Sequence, residues 1–461
     1  MEITVSNKIT ITNPTPAMLE YCKALTLPNP EYHKLQNLGK WTGNTPREIV
    51  LYERVGDTLI LPFGCINGVR ARMGKDDAFK CDFSPIRPFN YQSRIKLYPY
   101  QDTAADMAHT YRNGVIVMPC GAGKTQTGLE LVSLVGGRTL WLTHTQDLLN
   151  QSMSRAKAVL DCPADTYGTI TEGKVNIGAG LTFATVQTMA KIDLADLKYA
   201  FDCIIVDEVH KAVGAPTKVM QFYKVLSALS CRYKYGLTAT PKRADGLEKS
   251  MFALLGGICV DVPKEVVADT TCPIKVQMYQ TEYFPSMDIV LAGDGTLSYS
   301  GLVDDLTHDD ERFKLILEHI PQDKGAVIVL GCRVEYLQRL CKAYSGRSLC
   351  LSGMGNSKAA KAERKEALRK LNNGELDAVF ATYQLAKEGL DVPNLRYVVF
   401  ATPEKDKTTV IQAAGRVGRR AEGKDYGTVI DFEDNFGMYH GWAKKRRGFY
   451  KKLDYEVMEN E

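Results

Sequence analysis

The stretch "VIVMPCGAGKTQTGLE", Val115 to Glu130, joins an apolar run to closely spaced glycines, a lysine and a threonine. Those residue types in that order suit a polyphosphate. Gly121 and Gly123, with Ala122 between them, let successive backbone N–H groups converge on one point, where Lys124 adds a cation for the outer phosphates and Thr125 a hydroxyl for Mg2+. The strict GxxxxGK[ST] signature has glycine where this chain has Met118. A second cluster, "CIIVDEVH", ends an apolar run in two carboxylates. Asp207 is suited to hold magnesium through water, and Glu208 to orient and deprotonate an attacking water. A third, "QAAGRVGRR", spaces Arg416 and Arg419 so that on a helix or its approach they share one face, with Gly415 and Gly418 keeping that approach open. Guanidinium groups match phosphate geometry better than lysine does. The chemistry these three clusters point to is hydrolysis of a nucleoside triphosphate.

Such groups need a sheet to hold them. "VIVM" reads as a buried strand and "TQTGLELV" as the first turns of a helix, so "PCGAGKT" is the loop between them. A buried strand ending in Asp207 and Glu208 puts both at the carboxyl edge of a parallel sheet, where α/β folds bind ligands. Further strands are expected at "TLWLT", "LTFAT" and "YGLTAT", separated by helix-length segments. A second series follows at "AVIVLG", "SLCLSG", "AVFAT", "YVVFAT" and "GTVIDF", without a phosphate loop. One half would bind nucleotide and the other complete the site. Asp261 to about Lys324 reads as connector, with a hairpin expected within residues 285–300 around Asp294 and Gly295. In the first ninety residues "EITVSNKITIT" alternates like a hairpin, "TPAMLEYCKAL" is helical, and "REIVLYERVGDTLILP" is two strands about Gly56 and Asp57. The expected fold is therefore α/β, with two parallel-sheet domains in tandem (91–265 and 266–461) behind a small accessory α+β domain (1–90) that is expected to bind DNA.

Composition bounds the alternatives. At 461 residues, 44% hydrophobic and 24% charged, the chain can fill two or three ordinary cores and is neither disordered nor membrane-spanning in character. "MEITVSNK" lacks the apolar segment of a secretion signal, so the cytoplasm is the expected location, that of a host if the chain is phage-encoded. The 12 cysteines include no CxxC, which points away from disulfides and structural zinc. A net charge of +4 says little, but six of nine residues from Lys444 to Lys452 are basic, with Trp442, Phe449 and Tyr450 interleaved. Near the front junction, Arg70, Arg72, Lys75, Arg94 and Lys96 form another basic group.

The ordered set "LYPYQ", "PCGAGKT", "LWLTHTQDLLNQ", "FATVQTM", "DEVH", "LTATP", "IVLGCR", "ATYQLAKEGLDVP" and "QAAGRVGRR" resembles a superfamily 2 helicase or translocase over about Tyr98 to Arg420. The DExH box and "EGLDVP" are similar to the XPB-like and phage UvsW-type members rather than to the RNA-directed DEAD-box group, and "LTLPNPEY" resembles the front domain of phage recombination helicases. The resemblance implies RecA-like domains, ATP and Mg2+ as cofactors, and 3′-to-5′ tracking. It implies that Gln101 reads the adenine, that Gly389 and Asp391 lie near the ribose, and that Gln412, Arg416 and Arg419 sense the γ-phosphate. His210, Thr238 and Thr240 would link hydrolysis to movement. Thr143, Thr185, Gln187 and Thr382 would contact the backbone of the tracked strand, without reading bases.

The function expected is an ATP-dependent DNA helicase or translocase acting on branched or forked DNA through a single-stranded tracking strand, with no membrane partner. An RNA-remodelling helicase and an ATP-gated clamp that binds without moving are the rivals. A clamp has no need of Glu208, Arg416 and Arg419 together. No nuclease cluster of the PD-(D/E)xK or HNH kind is present.

Overall fold

Parallel sheets buried on both faces need near-continuous apolar strands, and the chain supplies them twice. The computed structural model describes all residues except 120, 172, 213–215, 242–245, 268–270, 287–296, 323–324, 352–357, 385–391 and 461. Two compact units emerge, one containing Met1–Pro119 and Gly123–Val266, the other containing Val267–Glu461.

In the first unit eight strands form one sheet. Across it run Lys174–Asn176, Tyr167–Thr171, Leu181–Thr185, Thr139–Thr143, Cys203–Val206, Tyr233–Thr238, Asn113–Val117 and Ile258–Asp261. Every neighbouring pair is parallel except the first, which is an edge hairpin. The strands "CIIV" and "TLWLT" are buried along their whole length.

The front segment forms a five-stranded sheet in the order Glu53–Val55, Thr58–Pro62, Lys8–Thr12, Glu2–Val5, Ala78–Cys81. Only the last pair is parallel. Gly56, at φ 58°, makes the turn between its first two strands. Thr15 caps the helix Pro16–Lys23 through the Met18 N–H. This sheet is a layer on the first unit. Ile9, Leu61 and Val69 share one hydrophobic cluster with Leu226, Met251 and Leu255. At Gly64 a Cβ would fall 2.2 Å from the Gly256 nitrogen, so two backbones touch where only glycine fits.

The second unit holds a seven-stranded, wholly parallel sheet. Its order is Ser348–Cys350, Ala378–Thr382, Ala326–Gly331, Leu395–Phe400, Gly427–Asp434, Ile274–Thr281, Glu456–Asn460. Ile274–Thr281 falls inside the segment expected to be connector. Its residues alternate between buried and partly exposed, so it lacks the continuous apolar signature of its neighbours. The expected hairpin around Asp294 and Gly295 lies outside the described residues.

The basic tail is the helix Gly437–Lys452, and two of its six Lys and Arg residues are structural. Arg446 is buried and pairs with Asp431, which also accepts from the Tyr450 hydroxyl at 2.8 Å. Arg447 pairs with Glu433 and Glu459. Lys444, Lys445, Lys451 and Lys452 remain exposed. Among the described residues no helix is long and apolar enough to cross a membrane.

Candidate active site

The phosphate loop follows the strand Asn113–Val117 and precedes the helix Lys124–Val135. Gly121 and Gly123 both hold left-handed backbone, φ 85° and 80°. The helix has no side-chain cap, so its first N–H groups face the loop. A Cβ on Gly123 would lie 2.1 Å from Gln101 Nε2, which explains the glycine. Met118, directly after the strand and where the strict signature has glycine, is wholly buried.

Gln101 is buried in the first turn of the helix Pro99–Tyr111, and its Oε1 accepts from the Tyr98 N–H at 3.0 Å. Its amide thus closes a capping box and packs on the loop at once.

The carboxylates leave the strand Cys203–Val206 at the same edge. Asp207 is buried; its N–H donates to Leu142 O, and Ser152 Oγ donates to its Oδ2 at 3.4 Å. Burial first, then the adjacent Glu208 charge, push the Asp207 carboxyl up, against the pull of Lys124. A carboxyl so placed favours a cation beside it. Glu208 has φ 48°, left-handed backbone that a side chain rarely adopts and that costs about 1–3 kcal/mol. That turn aims its carboxylate two ways. Oε1 lies 3.9 Å from Lys124 Nζ, and Oε2 lies 3.4 Å from His210 Nδ1. His210 Nδ1 is in turn 2.9 Å from Thr238 Oγ1, which accepts from the Thr240 N–H at 3.1 Å. Five expected residues, Lys124, Glu208, His210, Thr238 and Thr240, therefore form one connected chain, with Asp207 beside it.

Two positive-φ glycines at an uncapped helix start, a lysine, the Thr125 hydroxyl, buried Asp207 and partly exposed Glu208 are the donor set that a magnesium nucleoside triphosphate requires. The residues present fit that group.

In the second unit, Asp406 caps the helix Lys407–Arg416, which carries Gln412 and Arg416 one turn apart. The helix ends there. Tight turns follow, Val417 N–H to Ala414 O and Arg419 N–H to Arg416 O, so Arg419 follows Arg416 through a 3₁₀-like step rather than on the α-helix face. The segment is pinned by residues that sequence reasoning passed over. Cys272 N–H donates to Gly418 O at 2.9 Å, and the half-buried Arg419 bridges to Thr271. Buried Lys424, its pKa pushed down to about 8 by desolvation, donates to Arg419 O at 2.8 Å and to Leu395 O at 2.6 Å. Nothing local in "EGKDYG" marks that lysine as a clamp.

The strand-contact candidates also lie at carboxyl edges. Thr185 is in register with Thr143, and Thr382 with Gly331. Thr143 is wholly buried and donates to Thr145 O at 2.9 Å, while Thr185 caps the helix Val186–Lys191 through the Thr188 N–H. Both hydroxyls shape turns. Gln187 and Thr382 are partly exposed, and Gly389 and Asp391 lie outside the described residues.

Of the front basic group, Arg94 pairs with Asp161, Arg70 stacks over Phe79 and Arg72 over Tyr21.

Residues 94–243 match the family described as the type III restriction enzyme res subunit, and residues 311–421 the helicase conserved C-terminal domain. The chain is 25% identical over 392 residues to L396 of Acanthamoeba polyphaga mimivirus, named as a candidate ATP-dependent RNA helicase, covering 81% of this chain and 71% of that one. It is also 25% identical over 372 residues to DNA 3′-5′ translocase XPB2 of Sulfurisphaera tokodaii, covering 72% and 80%. Its fold is similar to that of the ATP-dependent type ISP restriction-modification enzyme LlaBIII bound to DNA, at a TM-score of 0.59 and 19% identity, over 80% of this chain and 32% of that one.

Proposed function

The chain belongs to the superfamily 2 helicases, and from that premise we propose that it uses ATP to translocate on DNA and remodel forked or branched molecules. The observation that carries this reading is the connected chain from Lys124 through Glu208 and His210 to Thr238, all within 4 Å steps. A clamp that only binds nucleotide has no use for a carboxylate wired both to the phosphate-loop lysine and to a neighbouring strand.

Bound Mg2+ and ATP would supply the phosphoanhydride and the counter-charge for Asp207. The chain's own residues do the rest. Loop amides after Gly121, with Lys124 and Thr125, hold the phosphates. Glu208, 3.9 Å from Lys124 Nζ, accepts the proton of the attacking water. His210 and Thr238 carry a change at Glu208 to the segment containing Thr240. Gln412, Arg416 and Arg419 supply donors to phosphate charge during hydrolysis. Gln187 and Thr382 are the partly exposed groups assigned to the strand backbone, so tracking is sequence-independent.

ATP turnover measured with no nucleic acid, with single-stranded DNA and with single-stranded RNA of matched length tests the reading. DNA is expected to stimulate most, and Lys124→Ala to abolish turnover. Stimulation by RNA alone would favour the RNA-remodelling alternative, which the name given to the mimivirus relative supports.

A further inference from the structure

Beyond the motor, the front layer extends a small head from the strand pair Thr26–Pro28 and Glu48–Val50. Buried Asn29 locks its base. Its N–H donates to Arg47 O at 3.0 Å, its Nδ2 to Pro46 O at 2.8 Å, and its Oδ1 caps the helix Pro30–Asn37 through the Glu31 N–H at 3.0 Å. One side chain therefore closes both ends of an 18-residue excursion (30–47), fixing whatever its tip presents. The tip presents Trp41, 89% exposed, with Leu38, 58% exposed, three residues earlier in the chain. Gly43 lets the indole lie against backbone, since a Cβ there would sit 3.1 Å from Cζ3. Lys34, Lys40 and Arg47 are exposed on the same head, and no carboxylate pairs with them among the described residues. Arginines elsewhere, such as Arg347 with Asp377 and Arg369 with Glu366, are neutralised by partners.

An exposed, propped aromatic ring among unneutralised cations is the chemistry that binds an unstacked nucleobase and its phosphates. We propose that Trp41 stacks on a base of a single strand, with Lys34, Lys40 and Arg47 holding the adjoining phosphates, and that this head is a nucleic-acid contact separate from the motor's strand path. The proposal rests on the nucleic-acid motor reading, and names a surface that reading does not require.

Trp41 is the most exposed of the chain's three tryptophans, because Trp141 is fully buried and Trp442 packs on Tyr299 and Tyr439. The test uses the full chain with a 20-nucleotide oligo-dT and a blunt 20-base-pair duplex as probes. Expected are quenching of the wild-type emission by oligo-dT, absent in Trp41→Phe, and oligo-dT binding weakened roughly tenfold in Trp41→Ala but little in Trp41→Phe. Blunt-duplex binding should change less than twofold in either variant. Unquenched emission at saturating oligo-dT, or equal binding by wild type and Trp41→Ala, overturns the stacking assignment. Because the quenching is read on the wild-type chain, the result stands even if Trp41→Ala misfolds. ATPase stimulation of the wild type by oligo-dT is recorded alongside; its loss would sink the motor reading instead, so the two failures are distinguishable.

Discussion

His210 Nδ1 lies 2.9 Å from Thr238 Oγ1 while also lying 3.4 Å from Glu208 Oε2, so a single ring nitrogen bridges the proposed catalytic carboxylate and the strand Tyr233–Thr238. Thr238 O accepts from Met118 N–H at 3.0 Å, tying that strand to the start of the phosphate loop. Thr238→Val keeps the shape and removes the hydroxyl. Basal ATP turnover should change little, whereas DNA stimulation should fall about tenfold, within the usual range of coupling energies. Equal losses with and without DNA would assign Thr238 to the chemistry itself.

Arg416→Ala and Arg419→Ala should each lower DNA-stimulated kcat by about a thousandfold, with nucleotide Kd nearly unchanged, if both donate to phosphate charge that develops during reaction. Lys424→Ala removes the clamp on the Arg419 carbonyl and should lower kcat by less, without a shift in nucleotide Kd. A rise in Kd at normal kcat would make the arginines ground-state binders.

The tail helix divides by burial. Arg446→Ala leaves the Asp431 carboxylate buried without its guanidinium and should cost about 3–5 kcal/mol, read as a lowered denaturation midpoint. Lys444→Glu with Lys445→Glu should leave stability intact. If those lysines meet phosphates, the double variant should flatten the salt dependence of DNA binding by about one unit of log–log slope per lost contact. An unchanged slope would leave them as ordinary surface charge.

Lys234 is buried, donates to Leu226 O and Leu229 O, each at 2.9 Å, and has its pKa pushed down to about 8 by desolvation. Its Nζ also sits over the Phe63 ring of the front layer. Between pH 8 and 10.5 the unfolded chain keeps the proton that the folded chain has released, so the unfolded state binds more protons and stability rises with pH. Relative to Lys234→Met, the wild type should gain up to about 1.4 kcal/mol per pH unit across that window in urea denaturation. A flat difference would mean the folded lysine stays charged.

The phosphate loop and the carboxylate pair were legible because their chemistry sits in contiguous residues at the end of one strand. The strands "CIIV" and "AVIVLG" were legible for the same local reason: burial on both faces leaves an unbroken apolar run. Ile274–Thr281 was not, because its sequence alternates. Distant contacts escaped as well. Ser152 reaches Asp207 across 55 residues, and the tail's partners Asp431 and Glu433 lie on a strand that its own sequence does not reveal. The front segment looked separable because its strands pair among themselves, whereas its packing on Leu226 and Met251 is non-local. Deleting the front segment would expose that shared core, so substitutions are the better probe of what it does.

The most direct measurement follows a fork, a four-way junction and a 3′-tailed duplex, matched in length, through ATP-dependent strand displacement by the wild type and by Glu208→Gln. The account predicts that the wild type processes fork and junction faster than the tailed duplex. Glu208→Gln should retain ATP and DNA binding while its turnover falls about 10²–10⁴-fold. Equal rates on all three substrates would remove the branched-DNA assignment, and brisk turnover by Glu208→Gln would contradict the site on which the whole account is built.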